Sequence, residues 1–171
     1  ILNGGTGNDT LNGGDGNDIY LWGKGSGNDV IENLDRSANR FDFIQILGDL
    51  TPEDITVRNI DGTLVFGIVG SSDTLKLSYW VLNGDNVFTE ATINAVRFSN
   101  GVTWDLNEIL KQTFISTSGD DFIKGFSNDD ELDGGDGHDV IVGGDGRDTL
   151  NGGSGNDRLN GGLGNDTLIG G

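Results

Sequence analysis

Apolar residues recur every nine positions in two stretches of this chain, each two residues after an aspartate. The longer stretch, Ser116 to Ile169, holds six consecutive blocks: STSGDDFIK, GFSNDDELD, GGDGHDVIV, GGDGRDTLN, GGSGNDRLN and GGLGNDTLI. The sixth position of each block is Asp121, Asp130, Asp139, Asp148, Asp157 or Asp166, and the eighth is Ile123, Leu132, Ile141, Leu150, Leu159 or Leu168. One inward apolar residue between two outward neighbours predicts a very short strand. Two blocks, which is 18 residues, therefore predict one coil of turn, strand, turn and strand.

Residues 1 to 32 carry a weaker copy of the same pattern. The blocks are GGTGNDTLN from Gly4, GGDGNDIYL from Gly13 and KGSGNDVIE from Lys24. Their sixth-position aspartates are Asp9, Asp18 and Asp29, and their inward residues are Leu11, Tyr20 and Ile31. Trp22 and Gly23 are inserted before the third block, which predicts a bulge or a widened coil there.

Residues 33 to 115 contain less glycine and show strand patterns instead. Runs rich in β-branched and aromatic residues predict strands at Phe41 to Leu47, Ile55 to Ile60, Thr63 to Val69, Thr74 to Trp80, Ile93 to Phe98 and Val102 to Leu106. Asp61-Gly62 and Asn100-Gly101 predict hairpin turns. Short helices are predicted at Thr51 to Asp54 and after Asp105. We therefore expect an all-β protein with a β-rich spacer, 33–115, between repeat blocks 1–32 and 116–171, the spacer packing onto or extending the coils.

The residue types of the blocks suit a hard cation. Glycines at positions 1, 2 and 4 let the chain turn sharply and direct carbonyl oxygens toward one point, where the aspartate adds a carboxylate. A cation such as Ca²⁺ takes about six to eight oxygen ligands. Besides the nine sixth-position aspartates, the candidate metal-site residues are Gly134, Gly135, Gly137, Gly143, Gly144, Gly146, Gly152, Gly153, Gly155, Gly161, Gly162 and Gly164. Each coil buries only two aliphatic side chains, so we expect the coils to be disordered without the cation.

Composition narrows the possible partners. The net charge is −18, with 31 glycines and no cysteine. Such an acidic chain is a poor partner for nucleic acid or for anionic lipid, and it has no disulfide to stabilise it. No apolar run is long enough for a membrane span. The chain starts without methionine and stops inside a repeat, so we expect it to be a piece of a longer protein.

With these blocks the chain resembles the calcium-binding domain of the RTX exoproteins, which are toxins, proteases, lipases and adhesins exported by type I secretion. The segments GSGNDVIENLD, TPEDITV and VRFSNGVTWDL also resemble the segment that commonly separates RTX blocks. The resemblance implies a calcium-bound parallel β-roll, secretion to the exterior and transient contact with the type I export apparatus. It implies Ca²⁺ between Asp121 and Asp139, Asp139 and Asp157, Asp130 and Asp148, and Asp148 and Asp166, which is about four ions. It also implies a further ion between Asp9 and Asp29, and weak binding by the first two C-terminal turns, where Ser116, Thr117 and Phe126 replace glycines.

Other functions fit the sequence less well. An EF-hand starting at Asp129 would need a glutamate at its twelfth position, where Val140 stands. His138 is the sole histidine and occupies a variable position, so we expect it to be exposed, and we do not expect an enzyme. Trp22, Trp80 and Trp104 favour core packing over a sugar site. The main alternative is an adhesion module that binds a carbohydrate, a receptor or a surface ligand, although the third-position residues form no uniform ladder for such a ligand.

Overall fold

The computed structural model describes residues 1–33, 40–60, 63–78 and 93–171. The predicted turn at Asp61-Gly62, Trp80 and the end of the strand predicted at Thr74 to Trp80 lie outside these ranges. The described residues form two compact units, which we call unit 1 (the described residues of Ile1–Leu82 and Phe88–Thr113) and unit 2 (Phe114–Gly171).

The described chain contains sixteen short strands, one 3-10 helix and one α-helix. The strands are β1 Leu2–Asn3, β2 Thr10–Leu11, β3 Ile19–Trp22, β4 Asn28–Glu32, β5 Phe43–Ile46, β6 Ile55–Ile60, β7 Thr63–Ile68, β8 Thr74–Ser78, β9 Ala95–Arg97, β10 Thr103–Asp105, β11 Phe122–Lys124, β12 Glu131–Asp133, β13 Val140–Asp145, β14 Thr149–Asn151, β15 Arg158–Leu163 and β16 Thr167–Ile169. The 3-10 helix is Pro52–Asp54, and α1 is Leu106–Gln112.

Unit 1 consists of two five-stranded sheets in the orders β1-β3-β5-β9-β10 and β2-β4-β8-β7-β6. The repeat strands pair in parallel with strands of the spacer, β3 with β5 and β4 with β8. Antiparallel pairs occur only toward the ends of these sheets, in β6-β7-β8 and β9-β10. Of the two arrangements that the sequence left open, packing onto the coils or extending them, the strand pairing shows extension for the N-terminal repeats.

The insertion at Trp22 and Gly23 widens one coil without disturbing its register. Thr10 pairs with Val30, so this coil contains 20 residues. The extra length continues β3, where Trp22 is fully buried and pairs with Ile46. The predicted widened coil is therefore present, and the insertion adds a large side chain to the core.

The hairpins and helices of the spacer lie close to where the sequence predicts them. The strands β6 and β7 pair antiparallel up to Ile60 and Thr63. Asn100 and Gly101 form the turn between β9 and β10, and Gly101 has a φ of 89°. The Asp105 carboxylate accepts the Glu108 N–H at 2.9 Å at the start of α1, which places Ile109 in the core. No described helix has the length and apolarity of a membrane span.

Unit 2 contains two parallel sheets, β11-β13-β15 and β12-β14-β16. Its strands pair at intervals of 18 residues, with Ile123 against Ile141 and Leu132 against Leu150. This register confirms the predicted parallel β-roll. The core differs greatly between the units: the described residues of unit 1 bury 18 hydrophobic side chains in one cluster, whereas unit 2 buries four, namely Ile123, Leu132, Ile141 and Leu150. Unit 2 therefore depends more on interactions within its turns.

Candidate metal centre

The sixth-position aspartates of unit 2 stack directly on one another. In each pair the carboxylate Oδ1 accepts the backbone N–H of the aspartate 18 residues earlier. The four distances are 2.8 Å for Asp121 and Asp139, 2.9 Å for Asp130 and Asp148, 2.9 Å for Asp139 and Asp157, and 3.0 Å for Asp148 and Asp166. The structure thus brings together all four aspartate pairs that the resemblance names.

The second oxygen of the carboxylate is left without a partner in the regular blocks. Oδ2 is buried and accepts no hydrogen bond within the described structure in Asp139, Asp148 and Asp157. Burying a carboxylate oxygen without a hydrogen-bond donor is unfavourable for folding, because the charge loses its hydration and no protein group replaces the water. A bound cation would remove that cost at each of these three positions.

The pKa shifts of the stacked aspartates also favour a bound cation, because buried carboxylates lie close to one another. Burial raises the pKa of Asp148 above its usual range, the N–H of Asp130 opposes that rise, and the neighbouring Asp166 carboxylate adds to it. Burial likewise raises the pKa of Asp130, with a further contribution from Asp148. Among the described residues, no group of three or more Asp, Glu, His or Cys side chains could by itself hold a metal ion. A cation held here would therefore be coordinated by carboxylates in pairs and by backbone carbonyls, as suits calcium.

Glycine at the first position of a block makes room for the carboxylate. A Cβ on Gly143 would overlap the Asp148 carboxylate of its own block and the Gly161 carbonyl of the next coil. The same overlap with the sixth-position aspartate occurs at Gly134, Gly152 and Gly161. The backbone here has an ordinary conformation, so the requirement for glycine at this position is purely one of space.

Glycines at the second and fourth positions let consecutive turns stack closely. Gly153 has a φ of 83° and Gly155 a φ of 139°, which other residues rarely adopt. A Cβ on either would overlap the carbonyl oxygen of the glycine 18 residues earlier. The corresponding left-handed glycines of the other regular turns are Gly135, Gly137, Gly144, Gly146, Gly162 and Gly164. Carbonyl oxygens are thereby stacked beside the carboxylates, which provides the oxygen-rich donor set that Ca²⁺ requires.

The first two turns of unit 2 satisfy their aspartates differently. The Asp121 Oδ2 accepts the Thr117 N–H at 2.6 Å, and the Asp130 Oδ2 accepts the Phe126 N–H at 2.6 Å. Both donors come from the residues that replace second-position glycines. Because these carboxylates already have donors in their own turns, they gain less from a cation than the later ones do.

Unit 1 continues the aspartate ladder beyond its repeats. Asp29 Oδ1 accepts the Asp9 N–H at 3.0 Å, and the Asp9 Oδ2 is buried without a hydrogen-bond donor in the described structure. On the other side Asp42 Oδ1 accepts the Asp18 N–H at 2.7 Å, and Asn94 accepts the Asp42 N–H at 2.8 Å. Sequence analysis missed Asp42 and Asn94. Both stand two residues before a buried apolar residue, as in the repeats, but no glycine turn precedes them.

A second aspartate that sequence analysis missed closes the turn of the third block. Asp73 accepts the Gly25 N–H at 3.0 Å, the Gly27 N–H at 2.7 Å and the Ser71 hydroxyl. These hydrogen bonds, led by that from Gly25, hold the pKa of Asp73 below its usual range. An internal carboxylate therefore fixes this turn.

Comparison with known proteins identifies the repeats. The RTX calcium-binding nonapeptide repeat (4 copies) matches residues 1–31, 112–141 and 142–171, which is more than half of the chain. The chain belongs to the RTX calcium-binding repeat family. A haemolysin-type calcium binding protein related domain also matches residues 64–108, within the spacer.

Among solved structures, the chain is similar to the extracellular lipase LipA from Serratia marcescens. The identity is 17% over 94% of this chain and 27% of that chain, with a TM-score of 0.26. The chain therefore spans about a quarter of that lipase's length. RTX repeats are calcium-binding, generally non-catalytic structural modules of proteins that are typically type I secreted. The unpartnered Asp oxygens and stacked carbonyls fit Ca²⁺ as the cation of this chain.

Proposed function

We propose that residues 116–171 are a calcium-dependent folding module that is disordered in chelator and forms its β-roll when Ca²⁺ binds. About four ions would lie between the stacked turns, one for each aspartate pair. The observation that carries this proposal is the buried, unpartnered Oδ2 of Asp139, Asp148 and Asp157. Without a cation, these three oxygens oppose folding.

Charge and core size support the same conclusion. Residues 116–171 contain 12 acidic and three basic side chains, a net charge of −9. About four Ca²⁺ ions would nearly neutralise that charge. The core of unit 2 holds four buried aliphatic residues, which contribute little free energy compared with the entropy cost of ordering a glycine-rich backbone. Metal binding would supply the missing free energy of folding.

Calcium-dependent folding would serve export of a larger protein. A module that is unfolded at the low calcium of the cytosol can be threaded through a type I secretion channel, and it folds outside at roughly millimolar calcium. Folding at the exit of the channel would also hinder return of the exported chain into the channel. The module would thus act in secretion and in folding of its parent protein in the extracellular medium.

The test is a Ca²⁺ titration of the full chain followed by far-UV circular dichroism, from chelator to about 10 mM, with Mg²⁺ as the ionic control. We expect a cooperative gain of β signal with Ca²⁺ alone. Asp148→Asn should raise the calcium midpoint. Glu131→Gln removes the same charge from an exposed strand position and should leave the midpoint near that of the wild type. A β signal already complete in chelator would refute the proposal.

A further inference from the structure

The side chain directly before each sixth-position aspartate, at the fifth position of its block, forms a second ladder between turns. In unit 2 three of these side chains accept the backbone N–H of the fifth-position residue 18 residues later. The distances are 2.9 Å from His138 N to Asp120 Oδ1, 2.8 Å from Arg147 N to Asp129 Oδ1 and 2.9 Å from Asn156 N to His138 Nδ1. The fifth position therefore links neighbouring coils although its residue type varies.

The same link occurs in unit 1, where the coils are longer. Asn8 Oδ1 accepts the Asn28 N–H at 3.0 Å across the widened coil. Asn17 Oδ1 accepts the Phe41 N–H at 2.7 Å, and Phe41 directly precedes Asp42 of the aspartate ladder. The link thus depends on the place of the residue in its turn and not on the exact length of the coil.

Asparagine, aspartate and histidine share one feature that explains this link. Each carries an acceptor atom bonded directly to Cγ, either Oδ1 or Nδ1, so the acceptor lies at about the same distance from the backbone. His138 is exposed, as expected from the sequence, but its ring nitrogen accepts the Asn156 N–H. The fifth position therefore requires an acceptor and not one particular residue.

The fifth-position and sixth-position hydrogen bonds join neighbouring turns in opposite directions. The His138 N–H donates to Asp120, whereas the Asp121 N–H donates to Asp139. Each turn is thus both donor and acceptor toward its neighbour at two consecutive residues. Such paired bonds fix the separation of the stacked carboxylates, which is the distance that a bound ion must span.

Arg147 is the exception among the fifth-position residues of unit 2. Its guanidinium carries only donors, so it cannot accept the N–H of Asn165, the fifth-position residue 18 positions later. The turns of Asp148 and Asp166 therefore keep the sixth-position bond but have no fifth-position bond from Arg147. The guanidinium also adds a positive charge on the residue next to Asp148, which opposes the binding of a cation.

We propose that the fifth-position residue is a positioning residue for calcium binding: it holds the next turn on its edge by one backbone N–H, and Arg147 leaves the turn of Asn165 and Asp166 without this support. The inference rests on the proposed binding of Ca²⁺ between stacked turns. An acceptor in place of Arg147 should tighten calcium binding, whereas loss of the acceptor of His138 should weaken it. Arg147 therefore limits the calcium affinity of unit 2.

The first test measures the His138 bond by amide hydrogen exchange of the full chain at saturating Ca²⁺. NMR follows individual amides at about pH 7.5, where an ordinary histidine side chain is mainly neutral. His138→Ala removes the acceptor, and His138→Asn replaces it with an amide oxygen. We expect the Asn156 N–H to exchange about fivefold faster in His138→Ala than in the wild type, and His138→Asn to restore the wild-type rate. Equal rates in the two variants would overturn the proposal.

The same measurement at Arg147 looks for a gain. Arg147→Ala and Arg147→Asn remove the same charge, and only asparagine adds an acceptor. We expect the Asn165 N–H to exchange about fivefold more slowly in Arg147→Asn than in Arg147→Ala. The inference is wrong if asparagine protects this N–H no better than alanine does.

The second test asks whether the ladder serves calcium binding, by far-UV circular dichroism during a Ca²⁺ titration. One hydrogen bond shared over about four binding steps changes the calcium midpoint about 1.5-fold. The midpoint of His138→Ala should therefore lie about 1.5-fold above that of His138→Asn, and the midpoint of Arg147→Asn about 1.5-fold below that of Arg147→Ala. Asn160→Ala makes an amide-to-methyl change at an exposed position of β15 and should leave the midpoint near that of the wild type.

The outcomes separate this inference from the proposed function. A normal calcium response of the wild type, with midpoints that do not follow the acceptor at residues 138 and 147, would refute the positioning role alone. Absence of any circular dichroism response to Ca²⁺ in the wild type would instead refute the proposed function.

Discussion

Replacing Gly143 by alanine tests whether the first-position glycine is needed to make room for the sixth-position carboxylate. The added Cβ would overlap the Asp148 carboxylate and the Gly161 carbonyl. A rotamer change of Asp148 relieves only the first overlap, because the second involves the backbone of the next coil. Gly170→Ala is the matched control, since Gly170 occupies the same position of the repeat and its Cβ would meet nothing within 4 Å.

The expected cost follows from these two overlaps. Forcing an extra carbon into a filled site costs about 1–3 kcal/mol. Displacing the Asp148 carboxylate from the Asp130 N–H leaves a buried donor unsatisfied, which costs about 1–3 kcal/mol more. The total is on the order of 3 kcal/mol. Gly170→Ala should change the stability by less than about 1 kcal/mol, and in the stabilising direction if it has any effect, because alanine restricts the unfolded chain.

The far-UV calcium titration converts this cost into a concentration. If about four ions bind as unit 2 folds, a loss of about 3 kcal/mol is shared among four binding steps, and about 1.4 kcal/mol corresponds to a factor of ten. The calcium midpoint of Gly143→Ala should therefore rise about three- to fourfold. The midpoint of Gly170→Ala should stay within about 1.5-fold of the wild type. Equal midpoints for the two alanine variants would refute the steric reasoning.

Two further predictions concern the cores and the pH dependence. Leu150→Ala removes a fully buried side chain from the four-residue core and should cost about 2–5 kcal/mol of stability. This loss should raise the calcium midpoint several-fold in the same titration. Leu168 occupies the equivalent position but is 47% exposed, so Leu168→Ala should shift the midpoint much less. Folding lowers the pKa of Asp73 below its ordinary value of 3.8. The Asp73 carboxylate therefore stabilises unit 1 at pH values above 3.8, and this contribution is lost as the pH falls through the lower folded pKa. Between pH 5 and pH 3, the urea midpoint from tryptophan fluorescence should therefore fall less steeply in Asp73→Asn than in the wild type. Parallel pH profiles would exclude this role for Asp73.

The regular part of the metal centre could be predicted almost completely from the sequence. A nine-residue period places equivalent residues 18 apart on adjacent coils, so the pairing of Asp139 with Asp157 follows from counting. The strands of the spacer were also predictable from their β-branched and aromatic residues, and β6 has the predicted bounds. The proposed metal ligands themselves remain predictions, for which the buried Asp oxygens are the structural support.

The contacts of Asp42, Asp73 and Tyr20 could not be predicted, because they do not follow the nine-residue period. Asp42 meets Asp18 across 24 residues, and Asp73 meets Gly25 across 48. These separations depend on how the spacer strands join the N-terminal sheets. Tyr20 was read as an inward apolar residue, since nothing local shows that its hydroxyl reaches Asn33.

The sequence by itself determined the repeat register, the parallel β-roll and calcium as the cation, because each depends on residues at fixed spacing whose geometry repeats from coil to coil. Only the tertiary structure decided which turns lack protein donors. In the turns of Asp139, Asp148 and Asp157 the buried Oδ2 has no donor, whereas long-range contacts supply donors to Asp42 and Asp73. The physical reason is that a buried carboxylate needs compensation, and whether protein or cation provides it depends on which distant side chains arrive there.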